Sequence, residues 1–157
     1  MERNSKDKIT LSKNLEKNTI GNTDLKITKI GMGGAPLGHL DEITAIKTLE
    51  KAYESGINYF DTAPLYGAGN SEKLYGKFLP NLDRSSFVLS SKVGRLILPE
   101  YEAKKHVSNE DVTPALDTNL KASSYKNNVV FNFTRDGVLR SIEESLKRLN
   151  IDSIDII

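Results

Sequence analysis

Three side chains that together could transfer a proton lie at or just after two apolar segments of the chain. Asp61 directly follows an apolar run at 57–60, and Tyr66 lies in the loop beyond it. Lys92 follows a second apolar run at 87–91. Both runs have the length and composition of buried strands. The three side chains therefore belong at C-terminal strand ends, where parallel α/β folds bind their ligands.

The chemistry of these three groups is complementary. An ammonium group beside a phenol favours loss of the phenol proton, and a carboxylate beside the ammonium keeps the lysine charged. Taken singly, each residue has an ordinary structural explanation: a capping Asp, a packed Tyr or a solvated Lys. Because all three share one context, we predict that Asp61, Tyr66 and Lys92 converge and form a tuned proton donor.

A longer pattern around these residues resembles the aldo-keto reductase superfamily. The stretch 56–76 contains Gly-Ile-Asn-Tyr-Phe-Asp-Thr-Ala, then Tyr-Gly and Ser-Glu-x-x-x-Gly, and is similar to the first signature of that family. Ser91-Lys92-Val93-Gly94 is similar to its lysine motif, and 134–157 to its third helix and fourth strand. The resemblance covers 19–157 and leans toward the sugar (aldose) 1-dehydrogenases.

The resemblance implies a (β/α)8 TIM barrel with NADP or NAD lying across its C-terminal face. Tyr66 would be the general acid in carbonyl reduction and the general base in the reverse direction, with Lys92 tuning it. Asp61 would hold Lys92 and border the cofactor, while Gly34 and Ala35 would lie beside the nicotinamide. The implied substrate is an aldehyde or an aldose C1, and the product its alcohol or lactone. No metal site is predicted.

The number of predicted strands is half that of a complete barrel. A (β/α)8 barrel typically needs about 250 residues, whereas this chain has 157. We therefore expect the N-terminal half of a barrel, with about four parallel strands and an N-terminal hairpin at 19–27. The four predicted strands lie near 29–33, 57–60, 87–91 and 151–157.

The fourth catalytic residue of the family is a histidine at the end of the fourth strand, and no histidine occurs there up to Ile157. His39 and His106 lie in other segments and are interpreted as loop or surface residues. The sequence thus predicts that the chain alone is inactive because it is truncated, and a coding frame beyond Ile157 that opens with a histidine would favour this interpretation.

Amphipathic patterns predict a helix after each of the first three strands. The first begins after Asp41 and ends at Gly56, and the second runs from Asn70 to Pro80. The third, capped by Thr134, carries an apolar stripe and, on the opposite face, charge pairs interpreted as a solvated surface. The stripe comprises Val138, Ile142, Leu146 and Leu149, and the charge pairs are Glu143 with Lys147 and Glu144 with Arg148.

The chain divides into a Lys-, Asn- and Glu-rich tail at 1–18, predicted to be flexible, and a barrel part at 19–157. Within the barrel part, 97–128 is predicted to be a loop insertion that hangs over the active-site face. Its Tyr101 and Tyr125 could stack on a sugar or simply hold the loop in place, and the sequence favours neither alternative.

Composition excludes several classes of function. The formal net charge of +1 gives no attraction toward nucleic acid. The absence of cysteine leaves no disulfide or thiolate metal site and fits a reducing compartment. No apolar run reaches the length of a membrane span, and the first residues lack the apolar core of a signal peptide. We expect a cytoplasmic protein with a small-molecule substrate, no nucleic-acid or membrane partner, and possible self-association through open sheet edges.

Three hypotheses about function follow. The first is an NAD(P)-dependent aldo-keto reductase or aldose dehydrogenase represented by its N-terminal half. The second is a non-catalytic half-barrel that serves as a binding or assembly module. The third is another (β/α)8 enzyme, such as a sugar-phosphate isomerase, but this class leaves Tyr66 and the Ser-Glu-x-x-x-Gly continuation unexplained.

Overall fold

A parallel sheet forms the centre of the fold. The computed structural model describes residues 15–103, 112–114 and 127–157. After a hairpin of β1 (Lys17–Thr19) and β2 (Lys26–Thr28), three strands pair in parallel in the order β3-β4-β5. These strands are β3 (Met32–Gly33), β4 (Tyr59–Asp61) and β5 (Val88–Ser90).

The fourth predicted strand, at 151–157, is present only as a parallel bridge between Ile156 and Ser90. Two hydrogen bonds form this bridge: the Ile156 amide donates to the Leu89 carbonyl at 3.2 Å, and the Ser91 amide donates to the Ile156 carbonyl at 3.0 Å. The chain therefore adds a fourth, very short edge beside β5.

The three predicted helices are confirmed. They are α1 (Glu42–Glu54), α2 (Asn70–Phe78) and α4 (Arg135–Leu149). The Asp41 carboxylate accepts the Thr44 amide at 2.9 Å at the start of α1, and Gly56, with φ of 95°, follows its end. The Thr134 hydroxyl likewise accepts the Gly137 amide at 3.1 Å at the start of α4.

The core packs aromatic rings between β4 and α2. The Phe60 ring meets Tyr75, Phe78 and Phe87 edge to face, with ring centroids 5.9, 6.2 and 6.3 Å apart. Such pairs contribute beyond the area that they bury. Because Phe60 immediately precedes Asp61, this packing fixes the strand end that carries the carboxylate.

The hairpin closes the N-terminal side of the sheet. The Asn58 side chain, just before β4, accepts the Thr28 amide at 2.7 Å and donates to the Lys26 carbonyl at 2.9 Å. Of the tail predicted at 1–18, Lys17 and Asn18 lie in β1, and residues 1–14 lie outside the described part of the chain.

A second sheet occupies part of the segment predicted as a loop insertion. Its order is β6-β8-β7, all antiparallel, and a short helix α3 (Glu100–Ala103) follows β6. The predicted His106 and Tyr125 lie outside the described residues, and Tyr101 is exposed. The three strands are β6 (Arg95–Pro99), β7 (Val112–Pro114) and β8 (Asn127–Phe131).

We expect the chain purified alone to self-associate. Among the described residues, β3 pairs with β4 only, and exposed strand edges are templates for intermolecular pairing. Exposed Ile30, Ile43 and Ile157 add apolar surface. Sedimentation velocity at micromolar concentration should show oligomers, whereas a monomer with one sharp calorimetric transition would contradict this expectation.

Candidate active site

An ion pair joins the ends of the second and third parallel strands. The Lys92 ammonium donates to both carboxylate oxygens of Asp61, at 3.0 and 3.1 Å, and to the main-chain carbonyl of Thr62 at 2.9 Å. The two side chains are 48% and 33% exposed. The pair is therefore rigidly hydrogen-bonded and still open to a ligand.

Tyr66 lies against the same ammonium. The Lys92 nitrogen is 4.9 Å from the centroid of the Tyr66 ring. A tight turn at Gly67, with φ of 60°, returns Tyr66 toward the strand ends. The turn packs closely on Gly38: a Cβ on Gly38 would lie 2.8 Å from the Gly67 amide nitrogen. The structure thus brings all three sequence-predicted residues together.

Electrostatics keep the lysine protonated. Burial lowers the pKa of Lys92, but hydrogen bonds to Asp61 and Tyr66 and the charges of both groups outweigh that effect and raise the pKa above its ordinary value. Lys92 is therefore protonated at neutral pH and places a positive charge beside Tyr66.

A second phenol near the site has a structural role. Tyr75 is fully buried, and its hydroxyl donates to the Met32 carbonyl at 3.0 Å. Burial, followed by the negative charge of Asp61, raises the pKa of Tyr75. Tyr75 therefore keeps its proton at neutral pH.

Gly34 and Ala35 border the carboxylate strand. The Gly34 amide donates to the Asp61 carbonyl at 2.7 Å, and a Cβ on Gly34 would approach that carbonyl and the Ser71 hydroxyl to 2.7 Å. Close packing therefore explains this glycine. Gly33, by contrast, is exposed and a Cβ there would meet nothing within 4 Å, and Ala35 is exposed as well. Open space therefore lies at Gly33, the residue that pairs with Asp61 across β3 and β4.

Sequence reasoning missed a buried ionic network behind Lys92. Glu72 is fully buried; one of its oxygens accepts the Ser91 hydroxyl at 2.9 Å and the other accepts the Arg148 guanidinium at 2.7 Å. Arg148 is 14% exposed. The prediction that Arg148 belongs to a solvated face was therefore wrong: its side chain crosses from α4 to Glu72 on α2, and Glu72 in turn accepts from Ser91, the residue before Lys92.

Sequence reasoning also missed Ser90, which donates to Asp61 at 2.7 Å. The parallel register of β4 and β5 pairs Asp61 with Ser90 directly, and the predicted strand ends did not specify that register. His39 ends a turn at Pro36–His39 after β3. Within the described ranges, no group of three or more His, Cys, Asp or Glu side chains is arranged to hold a metal ion. No helix in that same part of the chain is both long and apolar enough to cross a membrane.

The sequence profile described as the Aldo/keto reductase family matches residues 29–157. The chain is 37% identical over 150 residues to the pyridoxal 4-dehydrogenase of Microbacterium luteolum, and the match covers 90% of this chain and 42% of the relative. It is 38% identical over 139 residues to the D-threo-aldose 1-dehydrogenase of a Pseudomonas species, covering 85% and 40%. It is 34% identical over 149 residues to the L-galactose dehydrogenase of Arabidopsis thaliana, covering 91% and 37%.

Solved structures agree. The aldo-keto reductase of Bacillus halodurans in its holo form matches with a TM-score of 0.65 at 26% identity, covering 90% of this chain and 38% of that one. The predicted (β/α)8 barrel type is thereby confirmed. The chain spans 37–42% of the length of the three dehydrogenases that it resembles.

Proposed function

The chain belongs to the aldo/keto reductase family, and on that premise we propose that it supplies the proton-transfer residues of an NAD(P)-dependent oxidoreductase. The observation that carries the proposal is the contact of one ammonium, that of Lys92, with the Asp61 carboxylate and the Tyr66 ring. This arrangement offers a phenol beside a fixed positive charge. It lies at the strand ends where barrel enzymes place their chemistry.

In carbonyl reduction, the Tyr66 hydroxyl gives its proton to the carbonyl oxygen as a hydride reaches the carbonyl carbon. The positive charge of Lys92 stabilises the phenolate that remains. Asp61 holds the ammonium in place, which spares the reaction the cost of reorganising these charges. In alcohol oxidation the phenolate accepts the proton back, so that Tyr66 acts as the general base.

The residues fit a nicotinamide cofactor, NADP or NAD, beside the exposed main chain at Gly33, where a Cβ would meet nothing within 4 Å. When bound, the nicotinamide supplies or accepts the hydride. Gly34, Ala35 and Asp61 would border it, and Gly34 holds its position by donating to the Asp61 carbonyl at 2.7 Å. Asp61 would then contact both the cofactor and the lysine that assists proton transfer.

We infer that the substrate is an aldehyde or the C1 centre of an aldose, converted to or from its alcohol or lactone. The relatives named for a threo-aldose and for L-galactose support this class. The half-exposed Lys92 and Asp61 leave room for a polar, water-soluble molecule. The partner of the site would thus be a small molecule.

The proposed function is tested with the chain alone and with a completed barrel, in which it is joined to the part of the D-threo-aldose 1-dehydrogenase that it does not match. We expect no turnover of aldoses with NAD or NADP by the chain alone. Positioning of two reactants contributes roughly 7–11 kcal/mol, and groups from the remaining barrel are needed to aim cofactor and substrate. The completed barrel should oxidise aldoses with NAD or NADP.

The assay is the absorbance of the reduced nicotinamide with aldoses and small aldehydes. Tyr53→Phe is the control: Tyr53, on α1, donates its hydroxyl to Ser86, which lies two residues before β5 and so at the opposite end of that strand from Lys92, and its loss should not change the rate. A folded completed barrel that binds sugar without any turnover would contradict an enzymatic function and favour a non-catalytic binding module.

A further inference from the structure

Two hydroxyl groups extend the ion pair into the sheet. The Ser90 hydroxyl is 2.7 Å from one carboxylate oxygen of Asp61, and the Tyr59 hydroxyl is 3.1 Å from the Ser90 oxygen. Ser90 is 5% exposed, and Tyr59 is partly buried. A continuous chain of hydrogen bonds therefore runs from Tyr59 through Ser90 and Asp61 to Lys92.

The direction of this chain follows from the number of hydrogens. A serine hydroxyl has one hydrogen to donate, and Ser90 gives it to Asp61, because an ionised carboxylate only accepts. Tyr59 must therefore donate to Ser90. Each hydroxyl then points its proton toward the carboxylate, and such chains polarise one another in a low-dielectric interior.

Strand register and the space left by a glycine position the residues of this hydrogen-bond chain. Tyr59 and Asp61 lie two residues apart on one face of β4, and Ser90 pairs with Asp61 across the parallel strands. A Cβ on Gly31 would come within 2.6 Å of the Tyr59 ring. The glycine thus leaves the space that the ring fills, and the hydroxyl is delivered to Ser90.

We propose that Ser90 and Tyr59 are positioning residues that hold the Asp61 carboxylate in the orientation required to grip Lys92. This inference rests on the proposed function for its catalytic consequence. One Asp61 oxygen accepts from both Ser90 and Lys92, at 2.7 and 3.0 Å. Without the Ser90 donor the carboxylate still accepts from Lys92 at both oxygens but loses its bond to β5, so that its orientation and the place of the ammonium beside Tyr66 are less tightly fixed.

The test compares Ser90→Ala and Tyr59→Phe with the matched controls Ser86→Ala and Tyr53→Phe. The control pair has the same chemistry, a tyrosine hydroxyl that donates to a serine hydroxyl at 2.9 Å, but Ser86 lies two residues before β5, at the opposite end of that strand from Lys92. Ser90→Thr restores the hydroxyl at the site. Two readouts are used: competitive acetylation of Lys92 against pH in the full chain, and kcat and KM in the completed barrel.

In the full chain, Ser90→Ala should lower the pH midpoint of Lys92 acetylation by about 0.5 unit, because Asp61 raises the affinity of the amine for its proton. Tyr66 also faces that amine and is unchanged in every variant. Tyr59→Phe should lower the midpoint by less, Ser90→Thr should restore it, and the two controls should leave it unchanged.

In the completed barrel, Ser90→Ala should lower kcat about tenfold, the usual effect of losing a hydrogen bond to a charged group, with KM within about twofold. Equal effects of Ser90→Ala and Ser86→Ala on the midpoint would overturn the inference. Tyr59→Phe preserves the packing of the ring, so its midpoint decides the matter if an alanine variant does not fold. The acetylation midpoint is measured without any turnover of substrate. It therefore tests the roles of Ser90 and Tyr59 even if the completed barrel proves inactive and the proposed function is wrong.

Discussion

Tyr66→Phe in the completed barrel is expected to lower kcat by about 10²–10⁴, the range that general acid–base catalysis contributes. The substitution removes the one phenol that lies against the Lys92 ammonium and changes nothing else in the ring, whose centroid is 4.9 Å from the Lys92 nitrogen. KM for the aldose should change little. Initial rates at saturating cofactor measure both quantities.

Lys92→Met provides the internal check on this result. It retains the aliphatic length of the side chain while removing the charge, so that Asp61 loses two hydrogen bonds of 3.0 and 3.1 Å. If the two residues act as one unit, the double variant should be no slower than the slower single variant. Additive losses, or a Tyr66→Phe enzyme with unchanged kcat, would show that Tyr66 is not the proton donor.

The convergence of the three residues could be predicted from sequence because each follows a strand. Asp61 ends β4 and Lys92 follows β5 by two residues. Adjacent parallel strands bring their C-terminal ends to one edge. Ser90 was not found in this way, because aligning the predicted strand ends at 60 and 91 places Lys92 opposite Asp61, whereas the structure pairs Asp61 with Ser90.

The buried face of α4 could not be predicted in the same way. The predicted apolar stripe, Val138, Ile142, Leu146 and Leu149, is half-buried except for Leu149, whereas the most buried positions include Gly137, Ser141 and Ser145. The reason is the close approach of α2: a Cβ on Gly76 would lie 2.2 Å from the Arg148 carbonyl. A helix that packs this closely needs small residues at the contact. A prediction based on the spacing of large apolar residues does not identify them.

The second sheet could not be predicted because its strands are far apart in the sequence. Arg95–Pro99 pairs with Asn127–Phe131, about thirty residues later, and nothing local in a Lys- and Asn-rich segment specifies that pairing. Short strands that pair over such separations depend on contacts that no window of sequence contains. The prediction of a loop over 97–128 therefore missed the β-structure at both of its ends.

Glu72→Leu is expected to lower the free energy of unfolding by about 3–5 kcal/mol, because it leaves the Arg148 guanidinium buried without its carboxylate. Glu72 has no exposed surface, and its bond to Arg148 measures 2.7 Å. The two residues are 76 positions apart, so the pair also ties α2 to α4. Urea unfolding followed by circular dichroism measures the change in midpoint at constant slope.

The double variant Glu72→Leu with Arg148→Met separates the cost of an unpaired charge from the worth of the pair. Replacing both partners of a buried ion pair by apolar groups is often neutral or stabilising, so we expect most of the lost stability to return. Glu16→Leu is the matched control: Glu16 and Lys29 are also 2.7 Å apart but 75% and 48% exposed, and such surface pairs contribute about 0.2–1 kcal/mol. If Glu72→Leu cost no more than Glu16→Leu, the Arg148 charge would be stabilised by solvent or by Glu144, and the network would not be what holds α4 against α2.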